Sequence, residues 1–264
     1  MHDETSHGWQ NFTMDADLSR ERAPRFYFPD RLAPGAIVTL PDQAAHHVMR
    51  VLRMAPDQRV RLFDGHGGEW AGTIRSISKA GVSVHVTAHT AREAEARLRV
   101  VLAQGISSRE RMDLTVQKAV ELGVAEIVPL ATRRSVVKLR EDRASRRVDH
   151  WQHLAIAACE QCGRNRVPVL HPVTDFADWL GGLNRDGSEA RVMLSPAAQS
   201  GLRDMPAPTT VLLLVGPEGG LDPEEQDTAA TCGFRAVRLG PRILRTETAA
   251  LAAVAAMHAL WGDF

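Results

Sequence analysis

The sequence is poor in cysteine: three in 264 residues. That odd, small number excludes a disulfide framework and fits a reducing compartment. It has no run approaching the roughly 18 consecutive apolar residues that a membrane span needs, so no membrane partner is expected. Residues Met1 to Ala23 are polar and contain no apolar segment of a secretory signal. A flexible extension is expected there. Charge of one sign is also lacking, since 32 basic residues meet 32 acidic ones. The expectation from these absences is a cytoplasmic protein. Two phosphate-binding signatures are missing as well. No Gly-Lys-Ser/Thr follows a glycine-rich loop, and no G-x-G-x-x-G follows a predicted strand. The second absence disfavours a Rossmann-type enzyme.

What is present is enough for a sizeable core, with 44% apolar and 24% charged residues. The zero net charge conceals segregation: residues 97–170 carry 14 basic and 8 acidic side chains, residues 171–264 carry 7 and 12. Arginine dominates the basic block, and arginine suits bidentate phosphate contacts and base stacking better than lysine. Solvated helix faces explain such segregation equally well.

Period-two patterns predict strands at Arg25–Phe28, Ala36–Leu40, Arg59–Phe63, Glu69–Ile77 and Val82–Val86, with one helical insert at Asp42–Leu52. Short strands at this spacing predict a small β-barrel over residues 24–90. The polar stretch Ala88–Arg97 reads as a linker. Beyond it the pattern alternates. Strands are predicted at Val100–Ala103, Glu126–Leu130, Arg191–Leu194, Val211–Val215 and Ala236–Leu239. Helices are predicted at Arg109–Leu122, Arg143–Gln161, Asp222–Cys232 and Thr246–Trp261. Such alternation implies an α/β domain over residues 91–264, with a parallel sheet covered on both faces. Ligands bind such sheets beyond the carboxyl ends of the strands, which points to the loops after Leu194, Val215 and Leu239.

Two of these loops carry chemistry. In Val211-Leu-Leu-Leu-Val215-Gly216-Pro217-Glu218-Gly219-Gly220-Leu221-Asp222-Pro223-Glu224-Glu225, a buried strand runs through a glycine-rich turn into a helix. Asp222 is placed to cap that helix, Pro223 suits its first position and Glu225 completes a capping box. The glycines allow close approach of a ligand to the backbone, and Gly216 and Gly240 are not expected to tolerate bulk. In Leu239-Gly240-Pro241-Arg242-Ile243-Leu244-Arg245-Thr246-Glu247-Thr248-Ala249, Thr246 is placed to cap the next helix. Glu247 lies in its first turn. Arg245, a cation set against the helix dipole, calls for another duty.

These two loops together resemble the RsmE family of SPOUT-class RNA methyltransferases. Gly-Pro-Glu-Gly-Gly alone marks a wider set of SPOUT enzymes; the combination is more specific. The resemblance extends to Arg50-Val-Leu-Arg-Met54, Gln117-Lys-Ala-Val-Glu-Leu-Gly123 and Ala157-Ala-Cys-Glu-Gln-Cys-Gly-Arg-Asn-Arg166, so it spans Arg25 to Phe264. It implies a PUA-like β-barrel followed by a SPOUT α/β domain with a deep trefoil knot at about residues 190–264. It implies methylation of N3 of a uridine, nominally uridine 1498, in 16S ribosomal RNA of the 30S subunit. The implied cofactor is S-adenosylmethionine, held by Leu194, Ser195, Val215, Gly216, Pro217, Glu218, Gly219, Leu239, Gly240, Ile243, Leu244, Arg245 and Thr248. It also implies a homodimer. Arg245 is the expected electrostatic catalyst, with Glu218 orienting it or relaying a proton. Arg25, Arg50, Arg53, Arg109, Arg164 and Arg166 are expected to flank one groove and bind RNA phosphates.

Other readings compete. Cys159-x-x-Cys162 suggests zinc or redox chemistry, but a zinc site wants a second pair and only Cys232 remains. The pair closes a long helix, whereas a redox motif normally opens one, so no metal is expected. His46 and His47 are adjacent, point about 100° apart on a helix and chelate poorly. Trp151 and Trp261 suit a core. Two alternatives to the main functional reading are a non-catalytic RNA-binding protein and a SPOUT enzyme acting on another RNA nucleotide.

Overall fold

The computed structural model describes residues 23–135, 141–184 and 187–264; the expected extension, apart from Ala23, lies outside them. The period-two segments of the first third pair as one sheet. Strands β1 (Arg25–Tyr27), β2 (Ile37–Thr39), β3 (Arg59–Phe63), β4 (Glu69–Ser78) and β5 (Gly81–Thr90) lie in the order β1-β3-β4-β5-β2. Alternation along each strand sends Val60, Leu62, Ile74, Val82, Val84 and Val86 into one apolar core with Phe26 and Leu40. Two register shifts between β4 and β5 mark the irregular pairing that bends a sheet around such a core. Ala44, Ala45 and Val48 of the helical insert fill the core from one side. The insert is not the single helix expected: α1 (Asp42–His46) passes into a π turn at His47–Val51. His46 is exposed, and His47 packs edge-on against Phe26.

The second sheet is wholly parallel. Its strands are β6 (Arg99–Gly105), β7 (Glu126–Ala131), β8 (Val169–Leu170), β9 (Thr174–Asp175), β10 (Ala190–Leu194), β11 (Thr210–Val215) and β12 (Arg235–Val237). The order is β12-β10-β11-β6-β7-β8, with β9 also on β7. Among the described residues five α-helices cover it: α2 (Arg109–Glu121), α3 (Glu141–Cys162), α4 (Phe176–Gly181), α5 (Pro223–Thr231) and α6 (Thr246–Trp261). Alternate strand residues sort to the two faces. Val100, Leu102, Val211, Leu213 and Val215 meet Met112, Val116, Trp151, Ala250 and Val254 of α2, α3 and α6. Ala103, Leu212 and Leu214 meet Phe176, Leu180 and Ala229 of α4 and α5. Trp151 is buried, as its sequence position suggested, and Trp261 packs half-buried against the same core. The short elements β8, β9 and α4 had no readable period, since two residues make no alternation and six make under two helical turns.

The expected linker is more structured than its polarity suggested. Ala88–Thr90 completes β5, and the rest is pinned between the sheets. Glu93 accepts from the Gly68 amide (3.0 Å) and pairs with Arg166 (3.3 Å). Glu95 pairs with Arg164 (2.6 Å), and the Arg92 carbonyl accepts from Asn165 (2.6 Å). Arg25 of β1 reaches the same place, donating to Asn165 Oδ1 (2.7 Å) and the Arg164 carbonyl (3.1 Å) while pairing with Glu69.

Candidate active site

At the carboxyl end of β11 the chain turns sharply. The Gly220 amide bonds the Pro217 carbonyl (2.9 Å), and Gly220 adopts φ +68°. The capping box forms as expected: Asp222 accepts from the Glu224 amide (3.1 Å), and Glu225 accepts from the Asp222 amide (2.8 Å). Gly216 has no room for a side chain, because a Cβ there would lie 2.8 Å from the Leu221 backbone nitrogen. Gly105, at the end of β6, has none either, since its Cβ would lie 2.6 Å from the Pro217 ring. The loop therefore lies flat on the sheet edge.

The loop after β12 is held differently. Gly240 faces open space but has φ +85°, so conformation rather than bulk requires glycine there. Arg245 occupies the N-cap of α6 without a side-chain cap. Thr246 does not cap, contrary to expectation. As the first helical residue it instead donates its hydroxyl to the Gly216 carbonyl (2.6 Å) and accepts from buried Gln104 (3.0 Å). This bond staples the two loops together. The third loop joins through the Ser195 amide, which bonds the Val237 carbonyl (3.0 Å).

Together the three loops enclose a cleft of about 610 Å³, within the range of small-molecule sites. Every expected cofactor residue lines it except Thr248, which is exposed on the outer side of α6's first turn. Sequence reasoning missed Arg111 and Arg134, which also line it. Arg134 donates to the Gly219 carbonyl (3.1 Å). Arg111 had a signal, since a cation in a helix's first turn is as misplaced as Arg245. Gln104 had none.

Glu218 is engaged away from Arg245. Its Oε1 accepts from the Ser108 amide (2.8 Å) and pairs with Arg111 (3.1 Å). Burial pushes its carboxyl up, but the Ser108 amide and hydroxyl and the Arg111 charge outweigh that and hold it below the usual range. It is therefore ionised at neutral pH. No ion pair joins Arg245 to it among the described residues, and Arg245 is exposed at the cleft.

The six arginines expected on RNA do not share one surface. Arg164 is 3% exposed and donates to Glu95 and to the Val120 and Val124 carbonyls. With its fork consumed inside the protein, it has no face to offer a phosphate. Arg25 is half-buried and spent on Glu69 and Asn165 in the same joint. Arg50 and Arg53 are exposed on the barrel, and Arg109 and Arg166 are exposed on the α/β side. Cys159 is buried, and burial pushes its thiol up to about 12, which suppresses the thiolate that metal binding or exchange requires.

Residues 94–258 match the family model of an RNA methyltransferase domain, and residues 40–87 match that of an RNA methyltransferase PUA domain. Ribosomal RNA small subunit methyltransferase E of Buchnera aphidicola (subsp. Acyrthosiphon pisum) is 30% identical over 254 residues, covering 96% of this chain and 99% of its own. The chain belongs to the RsmE family. A solved member from Neisseria gonorrhoeae, bound to S-adenosylmethionine, is 40% identical with a TM-score of 0.85 over 92% of this chain and 99% of its own. A methyltransferase of Legionella pneumophila in complex with the same cofactor is 37% identical with a TM-score of 0.88, covering 92% and 100%. The RsmE assignment joins the PUA unit to the first sheet and the methyltransferase unit to the second.

Proposed function

We propose that this chain methylates N3 of a uridine, nominally uridine 1498, in 16S ribosomal RNA using S-adenosylmethionine. The observation that carries this reading is the cleft where Gly216, Gly240 and Ser195 bring three strand ends together. The cofactor fits what is there. Gly216, Glu218, Gly219 and Leu239 bring main chain to the cleft wall for the polar parts, and Leu194, Leu239, Ile243 and Leu244 offer apolar wall. When bound, S-adenosylmethionine supplies a methyl group made electrophilic by its sulfonium.

The protein's task is on the base. Uracil N3 carries a proton and is a weak nucleophile, so charge growing on O2 or O4 must be stabilised as that proton passes to water at the open cleft. Arg245, at the cleft and before the N-terminus of α6, offers a planar fork with the helix's positive end behind it. Glu218, ionised and bound to α2, holds the loop instead of orienting Arg245. N3 lies on the pairing edge, so the target must be unpaired or extruded. Arg50, Arg53, Arg109 and Arg166 supply exposed charge for phosphates.

The reading also includes a barrel unit over residues 24–90 for RNA, a catalytic unit over residues 91–264, a trefoil knot, a cytoplasmic homodimer and a 30S substrate. Support for the knot is the sheet order, in which β12 lies outside β10 while Thr246, just after it, is stapled back to the loop of β11. Support for the dimer is apolar surface at Ile243, 86% exposed, and at Leu114. The deciding experiment compares labelled methyl transfer to naked 16S RNA and to 30S particles from an unmodified strain, with the product mapped by primer extension. Methylation at another nucleotide makes this a different RNA methyltransferase. RNA binding without saturable S-adenosylmethionine binding makes it a non-catalytic binder.

A further inference from the structure

Arg111 stands in the first turn of α2, where the helix dipole disfavours a cation. Two carboxylates hold it there. Its Nη1 lies 3.1 Å from Glu218 Oε1 and its Nε lies 3.7 Å from Glu247 Oε1. Glu218 belongs to the loop after β11, and Glu247 to the first turn of α6, two residues beyond Arg245. Both carboxylates are largely withdrawn from water, with side chains 18% and 11% exposed. The second oxygen of each is buried without a hydrogen-bond partner among the described residues. Carboxylates so placed depend on their cation, because a buried charge stripped of its partner is strongly disfavoured.

One guanidinium therefore ties three segments that meet at the cleft: the start of α2, the loop carrying Gly216 and the turn carrying Arg245. We propose that Arg111 is a positioning residue for methyl transfer, fixing the first turn of α6, and with it Arg245, against the cofactor loop through Glu218 and Glu247. This rests on the function proposed above. Removing the cation leaves two carboxylates around the place it held, relieved by the Ser108 amide and hydroxyl on Glu218 alone. Their repulsion moves α6's first turn away from Gly216. The other cations lining the cleft, Arg134, Arg238, Arg242 and Arg245, form no ion pair with either carboxylate among the described residues.

The charge balance separates this role from direct contact with RNA. Full-length Arg111→Gln, Arg111→Lys, Glu247→Gln and the Arg111→Gln/Glu247→Gln pair are compared in single-turnover methylation, with cofactor and RNA affinities measured separately. Misplacement of a reacting group by about 1 Å costs on the order of 10²-fold, and Arg111→Gln is expected to lose that in turnover. Its two affinities are expected to stay within about threefold, the pattern of an interaction felt in the transition state. Glu247→Gln added to Arg111→Gln is expected to recover most of the loss, because it removes the repulsion, and Arg111→Lys part of it.

A second readout needs neither cofactor nor RNA. Arg111→Gln strips two largely buried carboxylates of their cation, so its melting temperature at neutral pH should fall below that of wild type. The paired variant should recover part of that difference. A loss confined to RNA affinity, no recovery on adding Glu247→Gln, or full activity in Arg111→Gln overturns the inference. Wild-type protein that neither binds S-adenosylmethionine nor methylates RNA overturns the function instead. In that event equal melting temperatures for Arg111→Gln and wild type also remove the pairing.

Discussion

Arg245 and the two loop glycines show how differently single positions can matter. Arg245 makes no internal ion pair among the described residues and stands exposed at the cleft, so its loss should spare the fold. Arg245→Ala is expected to lower single-turnover methylation by about 10²–10³-fold, the usual effect of removing one charge stabiliser. Arg245→Lys should stay poor, because a point charge cannot replace the planar fork. A rate within about threefold of wild type at saturating substrates, far short of that loss, would make Arg245 structural. The glycines divide by mechanism. Gly216→Ala drives a Cβ into the Leu221 backbone and should abolish S-adenosylmethionine binding in calorimetry by displacing the loop itself. Gly240→Ala meets open space but keeps φ +85°, a strain of about 1–2 kcal/mol. Its affinity should fall by roughly tenfold, and equal losses at both positions would contradict this account.

At the scale of elements, α6 connects the site to the far end of the molecule. Its first turn carries Thr246 and Glu247 at the cleft; its last buries His258, whose two ring nitrogens lack hydrogen-bond partners among the described residues. Burial lowers the imidazole's pKa, Asp263 at 3.5 Å pulls it back up, and Arg164 lowers it further, leaving it below the usual value. A folded value below the unfolded one gives stability above about pH 6.5, the ordinary imidazole value, and loses it as pH falls through the folded value. Wild-type melting temperature should therefore drop between pH 7 and pH 5 more steeply than that of His258→Leu. Parallel curves would show that the ring is not buried neutral. The capping box of α5 was readable from Asp222, Pro223 and Glu225 because caps obey local rules. The π turn after α1 was not, since only packing against Phe26 and the barrel core distinguishes it from a continued helix.

Across the whole molecule, the two sheets are locked by polar groups rather than by a loose tether. Arg164 at the centre is buried against Glu95 with two carbonyls on its fork. Breaking a buried pair on one side typically costs about 3–5 kcal/mol, so Arg164→Ala should lower the denaturant midpoint markedly whether or not RNA is present. Arg50→Ala with Arg53→Ala should do the reverse. It should leave the midpoint unchanged while RNA affinity falls, with the salt slope reduced by about 0.7–0.9 per lost phosphate contact. An unchanged salt slope and affinity would remove the barrel from the RNA footprint.

The sequence alone determined what depends on near neighbours in the chain. Alternation at Val211–Val215 marked a buried strand, Asp222 with Glu225 marked a helix start, and Gly216 and Gly240 marked the turns that carry the cleft. Those signals are local because strand period, capping and positive φ involve only a few consecutive residues. Only the tertiary structure decided which charges are spent. Arg164 and Arg25 look, in sequence, like Arg50 and Arg53, yet the first pair is sealed in the joint between sheets and the second is free on the surface. It likewise drew Arg111 to Glu218 and Glu247, and Thr246 to the carbonyl of Gly216. Partners separated by 30 to more than 100 residues leave no periodic trace, because such a contact depends on where the whole chain returns rather than on what any one segment contains.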